Sequence, residues 1–218
     1  MKEYYRRNLP HIHPASAVFF ITFRLSGSLP DWIIEKLMDE FNSERELQIL
    51  RLSDPSTKKI PDEFYRRYFE TFDSFLDSHM NNDRWLTDQR VAKVVMDSIH
   101  YRDGKEYELL CATIMPNHVH MLIEIGQKNT ENMRSNIGLD PNTFVSIILH
   151  SLKRYTAFEC NKILNRSGAF WQSESYDRVI RNERELENTL RYIINNPVKA
   201  GLVKEWKDWH YSYCKFNL

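Results

Sequence analysis

Apolar residues recur along the chain with two periods, and the order of these periods predicts alternating strands and helices. Continuous or alternating apolar runs predict strands at 17–23, 107–115, 118–125 and about 175–181. Helical spacing and start signals predict helices that begin at Pro30–Asp31, Thr87, Asp140–Pro141 and Glu183. Asn196–Pro197 is expected to end the last of these helices. The order strand, helix, strand, strand, helix, strand is that of a ferredoxin-like split β-α-β core. We therefore expect an α+β fold with an antiparallel sheet and its helices on one face.

A highly charged segment interrupts this order. Residues 43–85 carry aromatic side chains at helical spacing, with breaks at Asp54–Pro55 and Ile60–Pro61. We interpret these aromatic residues as the packing face of a helical insertion. A chain of 218 residues with 42% hydrophobic content can bury a substantial core. The prediction is a single domain over 1–218 with a helical insertion at 43–85.

Composition narrows the class of protein. The 30 basic and 30 acidic residues cancel, so any nucleic-acid site has to be a local basic patch. Three cysteines without a Cys-x-x-Cys pair indicate neither a disulfide framework nor a zinc knuckle. The first residues lack the apolar core of a signal peptide, and no apolar run is long enough to span a bilayer. These features predict a cytoplasmic protein.

The most informative stretch is residues 111–125, CATIMPNHVHMLIEI. Pro116–Asn117 is a turn signal between two apolar runs, which predicts a hairpin. Because side chains alternate along a strand, His118 and His120 emerge on the same face, about 7 Å apart. Two such imidazoles can hold one metal ion; the alternative is two half-buried histidines hydrogen-bonded to their neighbours. A second His-x-His, at 11–13, lies between prolines and predicts an extended loop.

The predicted helix over 142–165 carries a second candidate group. Its apolar stripe also contains Tyr155 and Glu159. A buried carboxylate is costly unless it is paired or bound to metal. Since the two residues are one turn apart, they point to the same place. We interpret this helix as facing the histidines; in the alternative, Tyr155 is a core aromatic and Glu159 reaches the rim.

The string MPNHVHMLI resembles the signature of the single-tyrosine HUH transposases, and of the REP-associated tyrosine transposase group in particular. HUH denotes histidine, hydrophobic residue, histidine. The likeness continues through SLKRYTAFECN at 151–161, GAFWQ at 168–172, YDRVI at 176–180 and YIINNPVKAGLV at 192–203. By motif position it implies Tyr155 as the catalytic nucleophile. The same likeness implies His118, His120 and Glu159 as metal ligands, with Mg²⁺ or Mn²⁺ as the cofactor.

The resemblance also implies an activity. We expect a metal-dependent single-stranded DNA endonuclease and strand transferase that acts at hairpin or palindromic-repeat DNA. The tyrosine attacks the phosphorus and forms a covalent 5′-phosphotyrosine intermediate. Basic and aromatic residues expected to contact DNA are Lys153, Arg154, Lys162, Arg166, Trp171, Tyr176 and Arg178. A monomer is favoured, a homodimer is the alternative, and the DNA-bound protein is expected at the nucleoid.

Two further classes stay open on the sequence alone. A protein derived from a transposase could bind DNA or RNA hairpins and be catalytically silent. A mononuclear iron oxygenase also uses two histidines and a carboxylate, but it usually sits in a β-barrel and needs no adjacent tyrosine.

Overall fold

The computed structural model describes residues 17–51, 62–78, 84–126 and 144–217, without the side chains of 48–51 and 62–65. The second His-x-His and the predicted helix start at Asp140–Pro141 lie outside the described residues. Contacts group the chain into two compact units, one of Gly27–Arg84 and one of the remainder. That the chain forms a single domain over 1–218 stays a prediction.

The described elements follow the predicted order with one added strand. They are β1 Ala17–Leu25, α1 Asp31–Arg51, α2 Asp62–Ser78, α3 Gln89–Arg102, β2 Glu108–Ile114, β3 His118–Ile125, α4 Phe144–Ile163, β4 Trp171–Ile180, α5 Glu183–Lys199 and β5 Ser212–Cys214.

The unit of Gly27–Arg84 contains α1 and α2. The rings of Phe41 and Tyr68 pack with their centroids 4.5 Å apart, and Arg67 donates to Glu44 at 2.9 Å. Helices therefore make up the regular structure described between 43 and 85, as the aromatic spacing predicts.

The larger unit is built on one sheet of order β4-β1-β3-β2-β5, with every neighbouring pair antiparallel. The first four strands have the order of a ferredoxin-like sheet, so the predicted α+β class is confirmed. β5 extends the edge next to β2 and was not predicted, because a three-residue strand carries too short a pattern. The strand β3 lies at the centre of the sheet.

The odd-numbered side chains of β3 form one face of the sheet. Val119, Met121 and Ile123 are fully buried there. They share a core with Val95 of α3 and Ile148 of α4. This apolar face holds the main core of the larger unit.

Helix α5 covers the opposite face. Asn196 lies 3.2 Å from His120, measured from amide nitrogen to ring nitrogen. The ring of Tyr192 packs on Phe20 of β1 with centroids 6.0 Å apart. The expectation that helices lie on one face is therefore wrong, since α3 and α4 take one face and α5 takes the other.

The end of α5 also differs from the expectation that Asn196–Pro197 stops the helix. Pro197 lies inside α5, which runs to Lys199. A proline lacks one N–H, and in a last turn this loss affects a single backbone bond. Beyond the helix, the Leu202 N–H donates to the Pro197 carbonyl at 2.9 Å, and Gly201 takes a φ of 71°. Asn196 therefore lies within the helix.

None of the helices in the described ranges is long and apolar enough to cross a membrane.

Candidate functional site

The two histidines of β3 lie side by side at the centre of the sheet. Both side chains are fully buried, and their Nε2 atoms are 3.0 Å apart. Their rings meet edge to face, with centroids 4.6 Å apart. The prediction that His118 and His120 share a face is confirmed.

The far side of each imidazole is held by a neighbour. The Nδ1–H of His118 donates to Asn117 Oδ1 at 2.7 Å, because that carbonyl oxygen can only accept. The Nδ1 of His120 lies 2.7 Å from the Thr22 hydroxyl of β1. These bonds fix both rings with Nε2 turned inward, the arrangement in which second partners orient metal-binding histidines.

Both histidines are held neutral. Burial lowers the pKa of His118 to about 3, and the positive charge of Lys199 adds to this effect. Burial also lowers the pKa of His120 well below its ordinary value, with further contributions from His118 and Lys199. A neutral imidazole has a lone pair for a metal, so the site needs no deprotonation near neutral pH.

Helix α5 brings Asn196 and Tyr192 against the imidazole of His120. The buried Asn196 amide nitrogen lies 3.2 Å from His120 Nε2, and no hydrogen-bond donor in the described chain satisfies its Oδ1. The ring of Tyr192 lies 5.6 Å from the ring of His120, centroid to centroid. Tyr192 and Asn196 are one turn apart, so they occupy the same side of the helix.

The arrangement fits a hard divalent cation. Around a metal with bonds of about 2.1 Å, ligand atoms at right angles are roughly 3 Å apart. The two Nε2 atoms already have this spacing. A flip of the Asn196 amide brings its unsatisfied oxygen to the place of its nitrogen, since the two atoms have nearly the same shape. His118, His120 and Asn196 can therefore together offer two nitrogen ligands and one oxygen ligand to such an ion.

The sequence prediction for α4 is not supported by its packing. Tyr155 is 53% exposed, and Thr156 and Cys160 take the buried positions instead. The Thr156 hydroxyl donates to the Leu152 carbonyl at 2.8 Å, so a polar residue fits the buried stripe without a ligand. Tyr155 is not in the buried stripe, and that part of the prediction is wrong.

Glu159 lies on α4 one turn after Tyr155. It is only partly buried, and it does not join the histidines in any metal-competent cluster of the described residues. Because α4 packs on the apolar face, the sheet separates its packed side from the histidines. The expectation that this helix faces the histidines is therefore wrong.

Three residues expected at DNA make internal contacts. Lys153 Nζ donates to the carbonyls of Gln172, Ser173 and Glu174 of β4, at distances of 2.9–3.2 Å. Arg166 stacks over the Trp85 ring at 3.5 Å. Trp171 is buried and donates from Nε1 to the Thr156 hydroxyl at 2.8 Å.

Of the other four residues predicted to contact DNA, two lie on α4 and two lie on the histidine face of the sheet. Arg154 and Lys162 are exposed on α4. On β4, Tyr176 is directly opposite Thr22 and Arg178 is directly opposite Phe20, so both side chains lie on the histidine face. Arg178 forms an ion pair with Glu185 of α5 and stacks over Phe20.

Sequence reasoning did not single out Tyr192 and Asn196, although a signal was present. The string YIINNPVKAGLV contains a tyrosine and an amide one helical turn apart. The pair Tyr155 and Glu159 has the same spacing, and spacing alone does not tell which helix covers the histidines.

The sequence was compared with protein-family models and with curated proteins to find which proteins it is similar to. No protein-family model matches the sequence. A curated relative from Haemophilus influenzae, named "Putative REP-associated tyrosine transposase", is 31% identical over 106 residues. The match takes in 49% of this chain and 58% of the relative, so the chain spans little more than half of the relative's length.

A solved structure supports the same fold. It is described as a "REP associates tyrosine transposase bound to a REP hairpin", with a TM-score of 0.51, 18% sequence identity, and coverage of 97% of this chain and 82% of the other. At this identity the likeness shows the fold alone. Together with the curated relative, it confirms that the chain is similar to the REP-associated tyrosine transposases.

Proposed function

We propose that the protein is a metal-dependent single-stranded DNA endonuclease and strand transferase, with Tyr192 as its nucleophile. His118, His120 and Asn196 are the proposed metal ligands, with Mg²⁺ or Mn²⁺ as the cofactor. The observation that carries this proposal is the position of α5, which places Tyr192 and Asn196 against the ring of His120. Tyr192 and Asn196 thereby replace Tyr155 and Glu159 in the roles suggested by motif position.

The bond changes of the proposed reaction balance without ATP. A bound divalent ion supplies charge neutralisation at the phosphate oxygens. The Tyr192 oxygen loses its proton and forms a bond to phosphorus, while the bond from phosphorus to the 3′ oxygen breaks. The 3′ oxygen takes up a proton and leaves as a free hydroxyl. One phosphodiester replaces another, so the free 3′-OH can later reverse the step.

The residues around the histidines prepare this reaction. Thr22 and Asn117 hold the two imidazoles from behind, so the two ring nitrogens that would bind the metal need no reorientation. Lys199, on the same helix as Tyr192, adds positive charge near the histidines and suits a phosphate.

Hairpin DNA is the proposed substrate class. The similar solved structure is described as bound to a REP hairpin, and the curated relative carries the name of the same group. We extend this partner to the present chain as part of the proposal. The alternative, a catalytically silent hairpin-binding protein, would bind the same DNA without reacting.

The test is a covalent adduct with matched tyrosine variants. Single-stranded DNA with a palindromic hairpin and adjacent flanks, incubated with Mn²⁺, is expected to give a protein–DNA adduct on a denaturing gel. Tyr192→Phe is expected to lose the adduct and to keep the gel shift of bound DNA, while Tyr155→Phe keeps both. A gel shift without any adduct from the wild-type protein would favour the silent binder.

We further propose that the working protein is a monomer. The histidines, Tyr192 and Asn196 come together within a single chain, so the site needs no helix from a second copy. Light scattering is expected to give a mass near 26.2 kDa. A mass of twice this value would instead support an exchanged helix and a site shared between two chains.

A further inference from the structure

Two cysteines face each other across the edge of the sheet. Cys111 of β2 is directly opposite Cys214 of β5. The Lys215 N–H donates to the Leu110 carbonyl in the pair next to the cysteines, and the Ile114 N–H donates to the Tyr211 carbonyl three pairs away, both at 2.9 Å. Since bonded and non-bonded pairs alternate in an antiparallel ladder, the two cysteines form a non-hydrogen-bonded pair.

Side chains approach most closely in this kind of pair. The Cα atoms of a non-hydrogen-bonded pair are about 4.5 Å apart, within the range that a disulfide spans. The next pair on the same face, Thr113 and Ser212, shows this closeness, because its two hydroxyl oxygens are 2.7 Å apart. The ladder thus holds the two sulfur atoms within bonding reach without a backbone shift.

The thiols also differ in a way that favours reaction. The Cys111 thiol donates to the sulfur of Cys214 and lowers the pKa of Cys214 to about 6. The same bond, together with burial, raises the pKa of Cys111. Cys214 is partly exposed and Cys111 is buried, so the more acidic thiol is also the one that solvent reaches.

We propose that Cys111 and Cys214 are a redox-responsive pair that closes to a disulfide and ties the edge strand β5 to β2. With a peroxide as oxidant, the Cys214 thiolate attacks one peroxide oxygen, becomes a sulfenic acid and releases water after proton uptake. The Cys111 sulfur then attacks the Cys214 sulfur, loses its proton and releases a second water. Two thiols are oxidised and one hydrogen peroxide is reduced.

The bond would close a chain segment that contains the candidate site. Residues 111–214 include β3 with both histidines and α5 with Tyr192 and Asn196. The reduced β5 is held by a ladder of three residue pairs at the sheet edge. Oxidation therefore converts a short edge strand into a covalently fixed one, and it does so whether or not the protein cleaves DNA.

The test counts thiols in the folded protein before and after hydrogen peroxide. The reduced chain has three free thiols, and the oxidised chain is expected to retain one, that of Cys160. Peptide mapping without reductant should find Cys111 joined to Cys214, with the loss of two hydrogen atoms. The variant Cys160→Ser is the matched control and is expected to form the same link.

Two variants separate this link from general oxidation. In Cys111→Ser, Cys214 is expected to stop at the sulfenic acid and to react with dimedone. In Cys214→Ser, Cys111 is expected to remain a thiol. Amide exchange at β5 should slow in the oxidised wild-type protein and recover with dithiothreitol. Three thiols that persist in peroxide, a link through Cys160, or disulfides only between chains would each overturn the proposal.

Discussion

The two faces of the central strand β3 have different chemistry, although one strand supplies both. On the apolar face, Val119, Met121 and Ile123 pack into the main core under α3 and α4. On the other face, His118 and His120 meet polar groups of β1 and α5. A period of two along one strand is enough to separate an apolar packing surface from a surface that carries polar side chains.

The two helices α4 and α5, which cover opposite faces of the sheet, carry similar residue pairs in different surroundings. Both α4 and α5 carry a tyrosine and, one turn later, a residue with a side-chain oxygen that could bind metal. The pair on α4 is turned away from the core, whereas the pair on α5 lies against the histidine face. The position of a helix over the sheet, and not the spacing within it, decides which tyrosine can serve the site.

The largest expected effect concerns stability on the apolar face. Ile148→Ala removes a fully buried side chain of α4 and should lower the free energy of unfolding by about 2–5 kcal/mol. Chemical denaturation measures this change. Phe158→Ala, on the same helix but 68% exposed, is the matched control and should change stability by less than about 0.5 kcal/mol. Equal losses in both variants would contradict the packing of α4.

On the histidine face of the sheet, we expect acid to lower the free energy of unfolding. The folded pKa of His118 is about 3 and that of His120 is also lowered, while the unfolded histidines titrate near their ordinary value of 6.5. Below pH 6.5 the unfolded chain therefore binds more protons, and stability falls as the pH drops toward 3. The loss is about 1.4 kcal/mol per pH unit for each histidine that stays neutral.

Denaturation at a series of pH values measures this slope. The double variant of His118→Gln with His120→Gln should flatten the profile between pH 6.5 and 4, because both titrating groups are gone. An unchanged profile in the double variant would show that other groups cause the acid sensitivity.

Some features of the fold and of the candidate site could be predicted from the sequence, and others depend on tertiary packing. The hairpin, the shared face of the histidines and the alternation of strands and helices all follow from local periodicity, and the structure has them. The assignment of α4 to the histidines failed because the face that a helix covers depends on tertiary packing. The end of α5 differs from the expectation for another reason: the local stop signal is Gly201, with a φ of 71°, in the turn closed by Leu202, and not the earlier Asn196–Pro197.

A smaller expected effect distinguishes the two candidate ligands. Asn196→Ala removes the unsatisfied amide oxygen beside the histidines and should weaken Mn²⁺ binding roughly 10–100-fold. Asn196→Asp keeps an oxygen there and should retain binding. On α4, Glu159→Gln should leave the Mn²⁺ affinity unchanged in isothermal titration calorimetry. Loss of binding in the Glu159 variant alone would reverse the comparison of the two helices.

The central claim is that the tyrosine of α5, and not that of α4, reacts with DNA. The most direct measurement is to trap the wild-type protein on hairpin DNA with Mn²⁺, digest the protein and the DNA, and find the tyrosine that retains a phosphonucleotide by mass spectrometry. The account predicts the modification on Tyr192, in the peptide that also carries Asn196. A phosphonucleotide on Tyr155 would contradict it.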